Sequence, residues 1–375
     1  MRKNSKVLKR FIAADFILIV LLFMLCVIAD SKDVDNSLQE GSLKKTSLTM
    51  DNMADRAVTK GSVFDKGIYD REVIPSGEAV GIYMKTDGVL VVDICSFTNK
   101  DGINCCPSKG KLEMGDYITD VNNKSVTKRS ELLKLVQDSK GETLSIGYVR
   151  NGKKYDITLT PEKNQNGDYL IGAWVKDDVS GIGTVTFVDG YNFMALGHSV
   201  SDMDTGLMMK CSVGGIFRAD ISSIYKSHVD EPGRLQGSIA YKRSLIGIVE
   251  GNSISGIYGY LDSNYYNDVY GNAESMPIAK KEEAKAGKAY IYSRLTGELK
   301  KYLIEIESVD VSGVEKNLEF KVVDESLIGL TGGVVQGMSG SPIVQNGKLI
   351  GAVTHVLVDD PTRGYGILLE NMLEQ

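Results

Sequence analysis

The sequence has few of the residues that most often carry metal, redox or nucleic-acid chemistry. Its 375 residues include only three histidines, five cysteines and one tryptophan. The cysteines form no Cys-x-x-Cys motif and lie far from the histidines along the chain, which excludes the usual zinc-ligand spacings. A net charge of -6, without a stripe of Lys and Arg, argues against nucleic acid as a partner. The sequence therefore predicts no metal, no cofactor and no nucleic-acid ligand.

Proline is also scarce, with 7 residues against 40 glycines. Many glycines between short apolar runs are typical of proteins built from strands and tight turns. Residues 302–307 alternate between apolar and polar side chains, as a half-buried strand does. The composition predicts a mainly β protein, and 375 residues leave room for two or three domains.

The most informative motif is Gln-Gly-Met-Ser-Gly-Ser-Pro at residues 336–342, followed by an Asn-Gly hairpin between apolar runs. Glycines around Ser339 allow a tight turn in which the amides of Gly337 and Ser339 point into one small space. Such a pair of amides can hold the oxyanion of an acyl-transfer reaction. The motif therefore indicates a nucleophilic serine, although an ordinary glycine-rich turn before a hairpin has the same composition.

A nucleophilic serine needs a base, and three histidines are available. His198 follows an apolar strand that breaks at Gly197, so it is released into a loop at a strand end, where catalytic groups are often carried. His355 lies inside an apolar strand after the serine, where it lines the substrate cleft or packs in a barrel. His228 lies in a polar segment and is most simply a surface residue. We therefore predict His198 as the general base.

The carboxylate that would orient this histidine is harder to choose. Asp202 and Asp204 follow His198 too closely to reach back easily to its ring. Asp324 ends an alternating strand before the Thr-Gly-Gly turn that leads to the serine, and it equally suits a solvent-facing acid at a strand end. The residues alone leave this choice open.

Taken together, these motifs resemble the stage IV sporulation protein B family of serine peptidases. The strings that carry the resemblance are Ala-Leu-Gly-His at 195–198, Asp324, the run from Thr331 to Pro342, and Gly-Ala-Val-Thr-His-Val at 351–356. The resemblance implies a catalytic triad of His198, Asp324 and Ser339. Short strands separated by glycine turns fit a chymotrypsin-like double β-barrel over residues 165–375, with the cleft between the barrels.

The resemblance also implies a biological role. A member of this family is made in the forespore, acts in the space between the two membranes of the sporulating cell, and cleaves itself near its N-terminus. Its protein substrates there include a regulator of an intramembrane metalloprotease, whose cleavage leads to activation of a late sigma factor. We therefore expect a membrane-tethered, extracytoplasmic serine endopeptidase.

The N-terminus combines basic residues with an apolar segment. Five Lys and Arg residues within positions 2–10 precede residues 11–29, which are apolar except for Asp15. This order predicts a cytoplasmic stub and a signal-anchor or transmembrane segment over residues 1–29, with the rest of the chain outside the cytoplasm. Residues 16–29 alone also fit a cleavable signal peptide. Residues 30–75 are polar and poor in aromatics, which predicts a linker.

Residues 76–163 have the pattern of a PDZ domain. A Gly-Asp turn at 115–116 precedes an Ile-x-x-Val-Asn strand, a helix at 130–137 and a hairpin at 144–159. PDZ domains bind an extended peptide at a strand edge, and nearby backbone amides bind its terminal carboxylate. We assign this peptide-binding role to Val80, Gly81 and Ile82. The alternative is a module that only positions the catalytic domain.

Two other classes of protein stay open. A quality-control protease of the HtrA class also combines a serine triad with a PDZ domain, but it normally has the PDZ domain after the protease domain. A non-catalytic PDZ adaptor with a protease-like fold is the other alternative. The intact Ser339 motif and the His198 loop favour an enzyme.

The cysteines leave one structural alternative. In an oxidising compartment, Cys95 lies close enough in sequence to Cys105 and Cys106 for a local disulfide to either of them. Free thiols are the default expectation.

Overall fold

The structure is a computed structural model that describes residues 71–239 and 244–374. The predicted membrane segment over residues 1–29 and most of the predicted linker over 30–75 lie outside the described residues. Among the described residues, no helix is both long and apolar enough to cross a membrane.

The described chain consists mainly of antiparallel strands, numbered here in chain order. The strands up to residue 261 are β1 (Glu72–Ile94), β2 (Phe97–Thr98), β3 (Asn104–Cys105), β4 (Tyr117–Val121), β5 (Lys124–Ser125), β6 (Leu144–Arg150), β7 (Lys153–Leu159), β8 (Glu162–Lys163), β9 (Tyr169–Leu170), β10 (Ala173–Asp189), β11 (Asn192–Ala195), β12 (Cys211–Tyr225), β13 (Arg234–Ile239), β14 (Leu245–Ser253) and β15 (Gly256–Leu261).

The second half of the chain adds further strands and most of the helices. The strands are β16 (Met276–Pro277), β17 (Gly287–Ser293), β18 (Lys300–Val309), β19 (Leu318–Val322), β20 (Pro342–Gln345), β21 (Lys348–Val356) and β22 (Arg363–Leu368). The helices of the described chain are α1 (Arg129–Asp138), α2 (Ser263–Val269), α3 (Glu325–Thr331), α4 (Leu369–Leu373) and a 3₁₀ turn at Lys281–Glu283.

Six strands form a first barrel. In ring order they are β1, β12, β14, β15, β11 and β10. The ring closes because β1 pairs with β12 as well as with β10. Its interior is filled by apolar side chains that have no solvent exposure, including Val80, Phe193, Ile216 and Ile257. The predicted mainly β fold is therefore confirmed.

A second closed barrel consists of β17, β18, β19, β22, β21 and β20. In β18, the side chains of Tyr302, Ile304 and Ile306 are buried, and those of Glu305 and Glu307 between and after them are not. This is the alternation that the sequence predicts for residues 302–307, and it places the apolar face in the barrel core beside Phe320. The two barrels contact each other through β1 and β10 of the first and β17 and β20 of the second.

A third core belongs to the segment that runs from the second half of β1 to the start of β10. It includes Val89 of β1, Ile118, Leu132 of helix α1, and Ile146. The ends of this unit are continuous with the first barrel, because β1 and β10 pair along their length from Ile74 opposite Val188 to Ile94 opposite Ala173. The PDZ-like unit is thus an insertion in the first barrel, carried on a two-stranded ribbon. The helix predicted at 130–137 is present as α1.

The structure contradicts the predicted peptide-binding role of Val80, Gly81 and Ile82. All three lie in the barrel portion of β1, and each pairs with β10 on one edge and with β12 on the other. Both edges of this segment are therefore occupied, and no peptide strand can be added there. Residues 76–87 likewise belong to the first barrel and not to the PDZ unit. The sequence did not reveal this pairing, because the strands that pair with this part of β1 are distant in the chain.

The three cysteines of the PDZ-like unit, Cys95, Cys105 and Cys106, are free thiols. The default expectation therefore holds for these residues, and neither of the two possible local disulfides is formed. Cys26 lies outside the described residues.

Candidate active site

Ser339 lies on a tight turn between α3 and β20, in contact with the first barrel. Gly337 has a φ of +100° and Gly340 a φ of +96°, a region that favours glycine. A Cβ atom on Gly340 would lie 2.0 Å from the carbonyl oxygen of Thr184 and 2.5 Å from the amide nitrogen of Leu196. Glycine at this position therefore lets the serine turn pack directly against β10 and the end of β11.

His198 is presented by a sharp change in chain direction at the end of β11. Leu196 and Gly197 have φ values of +74° and +73°, so two successive residues are left-handed. For a residue with a side chain, such as Leu196, this conformation costs roughly 1–2 kcal/mol, and strain of this kind is concentrated at functional sites. A Cβ atom on Gly197 would lie 3.0 Å from Thr354 Cγ2 of the second barrel. The histidine loop therefore meets the second barrel at β21.

The serine hydroxyl and the histidine ring each contact β21 at neighbouring residues. Ser339 Oγ donates a hydrogen bond to the carbonyl oxygen of Thr354 at 2.8 Å. The next residue, His355, has its ring centroid 5.4 Å from that of His198. Ser339 and His198 therefore contact consecutive residues of β21, at the junction of the two barrels. The hydroxyl must leave Thr354 before it can donate to His198.

The tautomer of His198 is fixed by the backbone. Its Nδ1 lies 2.9 Å from the carbonyl oxygen of Ser199. A carbonyl oxygen only accepts hydrogen bonds, so Nδ1 carries the proton and Nε2 has the free lone pair. Burial lowers the pKa of His198 below its ordinary value, although the Ser199 bond and the charge of Glu315 act in the opposite direction. At neutral pH the ring is therefore neutral and suited to act as a base through Nε2.

The amides of Gly337 and Ser339 fit an oxyanion hole. The carbonyl of Gln336 accepts a hydrogen bond from the amide of Leu235, and the carbonyl of Met338 accepts one from the amide of Ser341, each at 2.9 Å. In a trans peptide the N–H points away from the preceding C=O, so both bonds turn the N–H groups of Gly337 and Ser339 in the opposite direction. Neither N–H donates to any other residue in the described ranges.

Asp324 is not in contact with His198. One carboxylate oxygen accepts hydrogen bonds from the amides of Ser326 and Leu327 at 3.0 and 3.2 Å, which makes it the N-cap of helix α3. The other accepts from the amide of Leu303 at 3.1 Å. Partial burial opposes ionisation, but these bonds and the Ser326 hydroxyl hold the pKa of Asp324 below its usual range. The structure thus brings together His198 and Ser339 but places Asp324 elsewhere.

The other two histidines lie where the sequence suggests. His355 is exposed at the cleft wall. Partial desolvation there, together with the nearby charges of His198 and Lys316, lowers the pKa of His355 to about 4, so the ring is neutral at pH 7. His228 is an exposed residue of the turn between β12 and β13.

The loop that follows His198 is bound to the PDZ-like unit. Lys176 Nζ lies 2.7 Å from Asp202 Oδ2 and 2.6 Å from Asp204 Oδ2. At the far end of the loop, Met209 is buried against Leu90 and Tyr117. The histidine loop therefore connects the catalytic cleft with the inserted unit, a link that the sequence did not indicate.

Two barrels define a serine peptidase of the double-barrel class when their junction holds a serine, a neutral histidine and two amides that donate to no other residue of the described ranges. The chain belongs to the SpoIVB peptidase S55 family, whose model matches residues 167–373. This match confirms both the predicted family and the predicted serine endopeptidase class.

Comparisons with individual proteins cover smaller parts of the chain. It is 32% identical over 104 residues to the Regulator of sigma E protease of Haemophilus influenzae. This aligned segment covers 28% of this chain and 22% of that relative. The chain thus spans about a fifth of the length of this curated relative.

Solved structures with similarity include PDZ domains and proteases. A PDZ domain of an SdrC-like protein from Listeria monocytogenes is 24% identical and covers 24% of this chain and 87% of its own, with a TM-score of 0.20. An inactive form of Rv3671c from M. tuberculosis is 12% identical and covers 52% and 79%, with a TM-score of 0.27. The HtrA-type protease AlgW with a decapeptide is 8% identical and covers 80% and 63%, with a TM-score of 0.31.

Proposed function

We propose that this protein is a membrane-tethered endopeptidase that cleaves extracytoplasmic proteins with Ser339 as nucleophile and His198 as base. The observation that carries the proposal is the meeting of three features at one cleft. These are the Ser339 hydroxyl, the neutral His198 ring and the unpaired amides of Gly337 and Ser339. Family membership supports the same reaction.

The reaction begins when substrate enters the cleft and the Ser339 hydroxyl turns from the Thr354 carbonyl to Nε2 of His198. As Oγ attacks the scissile carbonyl, its proton passes to Nε2, and the oxyanion is held by the amides of Gly337 and Ser339. The resulting imidazolium keeps its Nδ1–H bond to the Ser199 carbonyl. It then gives the Nε2 proton to the leaving amine, which leaves an acyl ester on Ser339. Water, activated by the same histidine, hydrolyses this ester.

Active-site labelling of the full chain in detergent tests this chemistry. A fluorophosphonate should label the wild-type protein at Ser339, and Ser339→Ala should abolish labelling while the protein stays folded. His198→Ala should reduce labelling nearly as much, because an unactivated serine hydroxyl is a weak nucleophile. Labelling of Ser339→Ala at wild-type rate would contradict the proposal.

The PDZ-like unit supplies a second part of the function, recognition of an extended peptide with a free C-terminus. Within the described chain, residues 173–176 of β10 pair with β1 on one edge only, and helix α1 contacts this same strand. The carbonyls of Ile171 and Gly172 are held by the amides of Ser108 and Cys95 at 2.9 and 3.0 Å. In a trans peptide the N–H points away from the preceding C=O, so the N–H groups of Gly172 and Ala173 point away from Ser108 and Cys95. A terminal carboxylate would bind to these N–H groups.

The single tryptophan of the chain makes this part testable without a label. Trp174 lies in the proposed peptide-binding strand and is 62% exposed. Titration with hydrophobic C-terminal peptides should change its fluorescence with saturation, and the same peptides with an amidated C-terminus should bind much more weakly. Equal binding of free and amidated peptides would contradict a carboxylate site.

We also propose the setting of the reaction. We place the protein in the forespore-derived intermembrane space of a sporulating cell, tethered by residues 1–29. There it cleaves its own segment 30–75 and a regulator of an intramembrane metalloprotease, which triggers activation of a late sigma factor. The family description and the partial similarity to a Regulator of sigma E protease support this setting.

A complementation experiment tests the setting. In a spore-forming host that lacks its own member of the family, the wild-type chain should restore a reporter that depends on the late sigma factor, and Ser339→Ala should not. Restoration by Ser339→Ala would separate the biological role from proteolysis. N-terminal mass spectrometry of both forms would show whether cleavage within residues 30–75 depends on this serine.

A further inference from the structure

Thr184 of β10 connects the two catalytic segments. Its Oγ1 donates a hydrogen bond to the carbonyl of Gly337 at 2.7 Å, and its amide donates to the carbonyl of Ser339 at 2.9 Å. Its own carbonyl accepts from the amide of Leu196 at 3.1 Å. A single residue of the first barrel thus bonds to both sides of the nucleophile and to the turn that presents His198. It is 3% exposed, so these bonds are shielded from water.

We propose that the Thr184 hydroxyl is a positioning group that keeps the oxyanion hole in its active shape. This inference rests on the serine peptidase activity and adds a residue that has no direct contact with substrate. Thr184 does not react; it acts through Gly337 and Ser339.

The hydroxyl has a distinct role because the serine turn contains two glycines. Gly337, at a φ of +100°, has no side chain that would resist rotation of the Gly337–Met338 peptide. Rotation of this peptide would turn its carbonyl oxygen toward the place where the oxyanion forms, and two negative oxygens there would repel each other. The bond from Thr184 Oγ1 holds this carbonyl on the opposite side. Thr184→Val keeps the backbone N–H and C=O of residue 184, so the group it removes is the hydroxyl.

The same strand supplies a matched control. Thr186 is two residues further along β10, at the register shift between Val185 and Phe187 in the pairing with β11. It is fully buried, and its Oγ1 has no hydrogen-bond partner among the described residues. Replacing Thr186 by valine therefore changes a buried threonine of the same strand without removing a hydrogen bond.

The test compares Thr184→Val, Thr184→Ser and Thr186→Val in the full chain. Steady-state cleavage of a peptide substrate, fluorophosphonate labelling and affinity for a peptide boronate, which forms a tetrahedral adduct, are measured for each. Thr184→Val should lower kcat about 100-fold, the typical effect of a small misplacement of catalytic groups. Its KM should change less than threefold, and its boronate affinity should fall in parallel with kcat. Thr184→Ser should recover most of this loss, and Thr186→Val should match the wild type.

Several outcomes would overturn the inference. One is a folded Thr184→Val protein with kcat and boronate affinity within twofold of wild type. Another is an equal loss in Thr186→Val, which would assign the effect to barrel packing. If Thr184→Val does not fold, Thr184→Ala replaces it and is judged by the same measurements. Failure of the wild-type protein itself to label would reject the peptidase activity, a result distinguishable from all of these.

Discussion

Nδ1 of His198 lies 2.9 Å from the carbonyl oxygen of Ser199, the residue that follows it in the chain. In a Ser-His-Asp triad, the partner of this nitrogen is a carboxylate that selects the tautomer and stabilises the imidazolium. A neutral carbonyl selects the same tautomer but contributes less to stabilising the positive charge. The carboxylate whose charge acts on His198 in this structure is that of Glu315. His198, the proposed base, is thus oriented by a backbone carbonyl and has only the more weakly acting carboxylate of Glu315 as its electrostatic partner.

The first prediction concerns pH. Burial lowers the pKa of His198 below its ordinary value of 6.5. The neutral form of the ring is therefore the major form at pH 7. The acid limb of kcat/KM should therefore have its midpoint below pH 6.5, with a plateau through neutrality. Glu315→Gln removes a charge that raises this pKa and should move the limb to still lower pH. A pH profile of the two proteins checks this, and an unmoved limb would remove Glu315 from the site's electrostatics.

The second prediction separates two roles for Asp324. As the N-cap of α3, it should be replaceable by asparagine, which also caps helices well, whereas Asp324→Ala should cost about 1 kcal/mol of unfolding free energy. We expect Asp324→Asn to retain most of its kcat, measured beside thermal unfolding of both variants. A folded Asp324→Asn protein slowed by about 10⁴-fold would instead support the triad role that the family resemblance implies.

The third prediction concerns the link between the histidine loop and the PDZ-like unit. Asp202 is 3% exposed, so Lys176→Met leaves a buried carboxylate without its partner. Hydrogen exchange should rise across residues 199–210, and fluorophosphonate labelling should slow. Asp204→Asn is the control: this carboxylate is 68% exposed, and loss of such a surface pair should have little effect. Equal exchange in the two variants would mean that Lys176 does not hold the loop.

The fourth prediction tests the packing of the serine turn. Gly340→Ala places a Cβ atom 2.0 Å from the Thr184 carbonyl, so the turn must move and labelling of Ser339 should be lost. Gly347→Ala is a matched control, because Gly347 also has a positive φ, +75°, but no atom lies within 4 Å of its added Cβ. It should cost only about 1–2 kcal/mol of stability, the strain of a side chain at positive φ, and should retain full labelling. Normal labelling of Gly340→Ala would contradict the described contact.

The sequence predicted the parts of the site that depend on local pattern. The glycines around Ser339 and the strand break before His198 are short-range features, and both residues meet at the cleft. Helix α3 was also encoded locally, by Asp324 as N-cap and Gly332 in a left-handed C-cap. This signal was missed because Asp324 was interpreted as a strand end.

The remaining features depend on contacts between distant residues. Nothing near Val80 in the sequence shows that β1 pairs with both β10 and β12, so residues of a barrel strand were predicted to bind a peptide. The role of Ser199 is carried by a backbone carbonyl, which every residue has. Thr184 has no motif of its own, because its partners in the serine turn lie more than 150 positions away in the chain.

The central claim is that Ser339, activated by His198 and not by a metal, is the nucleophile. Its most direct test is fluorophosphonate treatment of the full-length protein in the presence of a chelator, followed by digestion and mass spectrometry of the peptide that contains residues 336–342. We predict a single adduct on Ser339, lost in Ser339→Ala and strongly reduced in His198→Ala. Substrate cleavage by the folded wild-type protein without an adduct on Ser339, or at an unchanged rate by Ser339→Ala, would contradict the account.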